Sequence, residues 1–133
     1  MEPVRILVAD DSDIVRSAIR EMLEQHPGFE VCGEAPDGHR AVEMFREYGA
    51  DCVVLDFSMP VMNGIDAARE IMRICPGVPL LLCTMFGSDV VSKAEAEVGV
   101  KRIVSKSENL GKSLVSTIES LVPDRSLSRE IGK

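Results

Sequence analysis

The 133-residue chain is 45% hydrophobic and 28% charged, a length and composition that suit one domain with its own buried core. Its formal charge of -7, from 15 basic and 22 acidic residues, argues against the clustered basic face that nucleic-acid binding demands, so a charged ligand held by its carboxylates should involve a cation. No apolar run approaches membrane-spanning length and the start Met-Glu-Pro-Val-Arg lacks a secretory pattern, so a cytoplasmic protein without membrane contact is expected.

Arg5 to Ala9 is a short apolar run that stops at Asp10 and Asp11, a predicted strand with two carboxylates at its carboxyl end. Ser12 or Asp13 can cap a helix in which Ile14, Val15, Ala18, Ile19, Met22 and Leu23 recur at helical spacing, and His26-Pro27-Gly28 ends it. Phe29 to Gly33 gives a weaker strand and Pro36-Asp37-Gly38 a turn. Ala41, Val42 and Phe45 lend the next helix a narrow apolar stripe that Tyr48-Gly49 closes. The aliphatic run from Asp51 then delivers Asp56 to its carboxyl end and passes at once into a Pro and Gly loop.

Ile65, Ala68, Ile71 and Met72 set a third helical period, ended by Pro76 and Gly77. Pro79 to Cys83, the most apolar segment, stops at Thr84. Ser88 to Val98 predicts a fourth helix of mixed charge with Gly99 as its cap. Ile103 and Val104 form a last strand ending at Ser105-Lys106, and Leu110, Leu114, Val115, Ile118 and Leu121 mark a fifth helix that Pro123 stops. Residues 1–122 are expected to form one domain and 123–133 a polar tail or the start of a linker. Cys32, Cys52, Cys75 and Cys83 show no CxxC spacing and read as small buried hydrophobes; His26 and His39 read as surface residues at helix ends.

Strand then helix, five times over, predicts an α/β fold: a five-stranded parallel sheet with right-handed crossovers and helices on both faces. Every strand's carboxyl end then lies on one edge, which brings Asp10, Asp11, Asp56, Thr84 and Lys106 together. Singly, each has an ordinary reading as a helix cap, a turn residue or a rim lysine. Together, three carboxylates repel one another unless protons or a cation balance them, and Mg²⁺ suits an oxygen donor set that leaves room for a phosphate. Lys106 offers a compact counter-charge for phosphate, Thr84 a hydroxyl donor, and Asp56 a carboxylate able to act as a nucleophile and form an aspartyl-phosphate.

From Val4 to Leu121 the chain resembles the receiver domain of two-component response regulators, through Val-Ala-Asp-Asp, Leu-Asp-Phe-Ser-Met-Pro-Val-Met-Asn-Gly, Cys-Thr and Val-Ser-Lys. The resemblance implies a flavodoxin-like strand order of 2-1-3-4-5. It implies a phosphoacceptor switch, not an enzyme, in which Asp56 takes a phosphoryl group from a sensor histidine kinase or histidine phosphotransfer protein. Asp11, Asp56 and the Ser58 carbonyl would bind Mg²⁺ directly, with Asp10 acting mainly through water; Lys106 would pair with the phosphoryl oxygen and Thr84 would move to hydrogen-bond it. The output would leave through the face of the fourth helix, fifth strand and fifth helix, where the family also dimerises.

Three positions depart from the family pattern. Ile103 stands where a Tyr or Phe is usual, Met85 where a small residue follows the threonine, and Ser107 where many members carry Pro after the lysine, as in members with a helix-turn-helix output domain. Phe86, apolar and two residues past Thr84, is expected to shield the phosphoryl group from water. Rival readings are a pseudo-receiver that binds partners without phosphorylation and a small haloacid-dehalogenase-type phosphatase, whose Asp-x-Asp motif Asp11-Ser12-Asp13 mimics. A flavodoxin is disfavoured, because Asp10 and Asp11 would repel the flavin phosphate, and no GxGxxG follows the first strand.

Overall fold

The computed structural model describes residues 2–84, 102–106 and 109–122. Met85, Phe86, the predicted helix Ser88 to Val98, Ser107 and residues 123–133 lie outside the described residues.

Five strands, β1 (Val4–Ala9), β2 (Phe29–Ala35), β3 (Cys52–Asp56), β4 (Leu80–Thr84) and β5 (Arg102–Ser105), form one parallel sheet in the order β2-β1-β3-β4-β5. This is the expected flavodoxin-like arrangement. Helices α1 (Asp13–Glu24), α2 (Gly38–Tyr48), α3 (Gly64–Ile74) and α4 (Leu110–Leu121), the last being the fifth helix of the sequence prediction, cover the sheet.

Side chains alternate across the pleat, and the two faces feed two cores. Leu7, Ala9, Val53, Leu55, Leu80 and Leu82 point one way and pack with Ala41, Val42 and Phe45 of α2 and Ala67, Ala68 and Ile71 of α3. Ile6, Val8, Cys52, Val54, Leu81 and Cys83 point the other way, against Ile19 and Leu23 of α1 and Leu110, Leu114 and Ile118 of α4. Burial on both faces explains why β3 and β4 read as unbroken aliphatic runs.

Helix starts follow their caps. The Val15 N–H donates to Ser12 Oγ at 3.2 Å, the Arg40 N–H to Asp37 Oδ1 at 2.8 Å and the Asp66 N–H to Asn63 Oδ1 at 2.9 Å. Asp37 thus caps α2 and draws Gly38 out of the predicted turn into the helix. Strand β2 runs two residues beyond its expected end, because Glu34 and Ala35 pair with Val8 and Ala9 after a register shift between Ile6 and Leu7 passes over Cys32.

Three expectations need correcting. Ile14, assigned to the apolar stripe of α1, is 84% exposed, and Ala18 is exposed as well; the helix meets the sheet through Ile19 and Leu23 instead. Of the four free cysteines, Cys52 and Cys83 are buried as expected and Cys32 half so, but Cys75, the C-cap of α3, is exposed. Burial pushes the Cys52 and Cys83 thiols up to about 12, as suits inert core residues. His26 is more than a surface residue: its ring stacks on Phe29 with centroids 3.9 Å apart, and Nε2 meets Glu119 Oε2 of α4 at 3.1 Å. Among the described residues no helix is long and apolar enough to cross a membrane.

Candidate functional site

Register builds the site. Ala9 pairs with Leu55, which sets Asp10, the residue after β1, beside Asp56, the last residue of β3. Asp56 pairs with Cys83, and Thr84 follows as the last residue of β4. Thr84 pairs with Ser105, and the Lys106 N–H donates to the Thr84 carbonyl at 2.8 Å, so Lys106 emerges just beyond β5. Asp10, Asp11, Asp56, Thr84 and Lys106 therefore share one edge of the sheet.

One carboxylate oxygen from each of Asp10, Asp11 and Asp56 lies within 4.8 Å of the other two. Asp10 and Asp56 are 1% and 7% exposed, whereas Asp11 is open to solvent. The Lys106 ammonium bridges the two buried acids, with Nζ 2.7 Å from Asp10 Oδ2 and 3.2 Å from Asp56 Oδ2. The remaining oxygens meet backbone donors: the Ser12 N–H donates to Asp10 Oδ1 at 2.9 Å and the Ser58 N–H to Asp56 Oδ1 at 3.3 Å. An all-oxygen set with one solvent-facing member suits a hard divalent cation that keeps some of its water.

Burial, and then the charge of Asp10, raises the Asp56 carboxyl above its usual range, with Lys106 opposing both. Burial also works against the Lys106 ammonium, yet its hydrogen bond to Asp10 and the two carboxylate charges carry its pKa above the ordinary lysine value.

The loop from Phe57 to Asn63 is held tightly under the site. Gly64 starts α3 against the strand it follows: its N–H donates to the Phe57 carbonyl at 3.0 Å, and a Cβ there would stand 2.3 Å from the Asp56 carbonyl oxygen. Within the loop the Met62 N–H donates to the Pro60 carbonyl at 2.6 Å across Val61, whose φ of 67° closes a γ-turn that β-branched residues rarely enter. Val61 is 83% exposed. No sequence cue marked it, since Pro-Val-Met is an ordinary loop string.

Ile103, in the position the family pattern gives to an aromatic, is half-buried and packs against the core shared with α2 and α3. Asp13, the second acid of the phosphatase-like Asp-x-Asp string, does not join the cluster and instead accepts from Arg16 at 2.6 Å on the surface. That arrangement removes the main support for the dehalogenase-type reading. Arg16 itself was missed: it donates to the Asp10 carbonyl at 2.7 Å. A cation in the first turn of a helix, where acids are favoured, was the local anomaly that could have flagged it.

The family profile described as response regulator receiver domain matches residues 6–119. The chain is 36% identical over 102 residues to the chemotaxis protein CheY of Thermotoga maritima, covering 77% of this chain and 84% of that protein. Among solved structures, a two-component response regulator of the LuxR family from Aurantimonas sp. SI85-9A1 superposes with a TM-score of 0.83 at 31% identity, covering 98% of this chain and 96% of that one. A CheX-CheY-BeF3-Mg+2 complex from Borrelia burgdorferi matches with a TM-score of 0.81 at 25% identity, covering 92% of each chain.

Proposed function

The chain belongs to the response regulator receiver family, and on that premise we propose that it is a signalling switch whose covalent phosphoryl acceptor is Asp56. The observation that carries the proposal is the buried Asp56 carboxylate, held with Asp10 on the Lys106 ammonium at 3.2 and 2.7 Å at the carboxyl edge of the sheet. Such a carboxylate has a positioned nucleophilic oxygen and a ready counter-charge, and phosphoryl transfer asks a protein chiefly for these two things.

The donor is a phosphohistidine on a sensor kinase or a histidine phosphotransfer protein. An Asp56 oxygen attacks phosphorus as the nitrogen–phosphorus bond breaks, and the imidazole leaves with the electron pair and takes a proton. Asp11, Asp56 and the Ser58 carbonyl would hold Mg²⁺, with Asp10 acting through water. That division fits the pairing of both Asp10 oxygens with Ser12 and Lys106. When bound, Mg²⁺ neutralises charge on the transferring group and on the carboxylates. The Mg²⁺ and beryllofluoride named with the Borrelia protein support the same assignment by similarity.

Once Asp56 carries the phosphoryl group, Lys106 turns from bridging two carboxylates to pairing with a phosphoryl oxygen, and the Thr84 hydroxyl donates to another. The switch is then a population shift toward the state that makes these contacts. The output passes to the face built from the fourth predicted helix, β5 and α4, through which two copies also pair when the switch is on. Ile103 on β5 is branched at Cβ into a methyl and an ethyl arm and has no ring, so the response there is a repacking rather than an aromatic flip. Incubation with a small acyl phosphate and Mg²⁺ tests the assignment: wild type is labelled and Asp56→Asn is not. Equal labelling of both removes Asp56 as the acceptor, and no labelling of either favours a phosphorylation-independent partner module.

A further inference from the structure

Arg16 sits in the first turn of α1, yet its guanidinium is drawn in toward the acidic edge and its side chain is 15% exposed. Nη1 donates to the Asp10 carbonyl at 2.7 Å and Nη2 to Asp13 Oδ1 at 2.6 Å. Nε lies 3.4 Å from Glu34 Oε1 on β2, shut off from solvent and without a hydrogen bond. Glu34 is in turn held by Arg20 Nη1 at 2.7 Å. A surface cation serving only solubility would keep its head in water; withdrawing a guanidinium costs hydration that the bonds to Asp10 and Asp13 and the Glu34 charge must offset.

What those contacts fix is the turn that carries the first two acids. The Asp10 N–H donates to the Ala35 carbonyl at 3.0 Å, and its own carbonyl accepts from Arg16, so both backbone polar groups of Asp10 are pinned. Pinned in this way, Asp10 directs Oδ1 to the Ser12 N–H and Oδ2 to Lys106, and Asp11 follows within reach of Asp56. The planar fork of arginine donates to the carbonyl and the aspartate in one fixed geometry while its charge faces the glutamate, a span that the point charge of an ammonium does not reproduce.

We propose that Arg16 is a positioning residue for the divalent-cation site: by gripping the Asp10 carbonyl it sets the Asp10-Asp11 turn so that three carboxylates meet at cation-binding range. This role rests on the reading of the site as Mg²⁺-dependent, and its sign separates it from simple electrostatics. Removing a cation beside three acids would tighten Mg²⁺ binding through charge alone, whereas loosening the turn weakens it.

Isothermal titration of the full chain with Mg²⁺, without phosphodonor, decides between them. Arg16→Met should weaken Mg²⁺ affinity about tenfold, the usual scale for losing a group that orients metal ligands. Arg16→Lys keeps the charge but loses the fork, and should recover only part of that affinity. Unchanged or tighter affinity in a folded Arg16→Met, checked by thermal unfolding, overturns the proposal. If Arg16→Met does not fold, Arg16→Lys decides alone, and wild-type affinity in it is the overturning result. A wild type that takes up no Mg²⁺ sinks the parent reading and this proposal with it, whereas normal wild-type uptake with unaltered variants sinks the proposal only.

Discussion

Replacing Lys106 with Met leaves two buried carboxylates facing each other without the ammonium that lies 2.7 Å from one and 3.2 Å from the other. At an effective dielectric of about 20, each of these attractions is on the order of 5 kcal/mol. Most of that is cancelled by the water all three charges give up, and removing one partner of a buried pair costs about 3 kcal/mol net. The sign with pH follows from Asp56, whose carboxyl is raised by burial and by the charge of Asp10, with Lys106 opposing. Without Lys106 the folded-state value rises further above the unfolded one, so in that window the folded state binds more protons and stability climbs as pH falls. Equilibrium urea unfolding in EDTA, followed by circular dichroism, reads this directly. The midpoint of Lys106→Met should drop by about 1.5 M at neutral pH, taking a slope of about 2 kcal/mol per molar. The gap to wild type should be smaller at a second, acidic pH, where the variant's Asp56 takes a proton. A variant within about 0.5 kcal/mol of wild type at both pH values would refute the claim that Lys106 balances these acids.

Gly64→Ala pushes a methyl to 2.3 Å from the Asp56 carbonyl oxygen, with the Leu82 side chain at 3.0 Å, and should cost about 3 kcal/mol in urea unfolding while slowing acyl-phosphate labelling. A normal labelling rate would mean that the start of α3 does not position Asp56. Val61→Asn relieves a β-branched residue at φ 67° and should raise stability by about 1 kcal/mol; a lower unfolding midpoint would show the turn is not strained. Ile14→Ala should change stability by less than about 0.5 kcal/mol, because the side chain is 84% exposed, whereas Ile19→Ala should cost about 3 kcal/mol. Comparable losses would reverse the assignment of the buried face of α1.

The edge residues were legible because strands buried on both faces announce themselves as aliphatic runs, so the polar residue that stops each run is conspicuous. Asp10, Asp56, Thr84 and Lys106 were found in that way, and parallel topology alone brought them to one edge. Strand ends were less legible. Thr84 belongs to β4 through its pairing with Ser105, and Ala35 to β2 through Ala9, partners far away in sequence. Ile14 misled because helical spacing admits neighbouring positions to a stripe, and only the sheet decides which of them touch it. The Arg16 contacts and the Val61 turn stayed hidden for a different reason: both depend on where a carbonyl points, which residue types do not encode.

The most direct test of the central claim is to locate the phosphoryl group. Wild type is incubated with a small acyl phosphate and Mg²⁺, the acyl-phosphate linkage is trapped by borohydride reduction, and the modified peptide is sequenced by mass spectrometry. The account predicts modification at Asp56 that disappears when EDTA replaces Mg²⁺. A stable modification at another residue, or one at Asp56 that is indifferent to the metal, would contradict it.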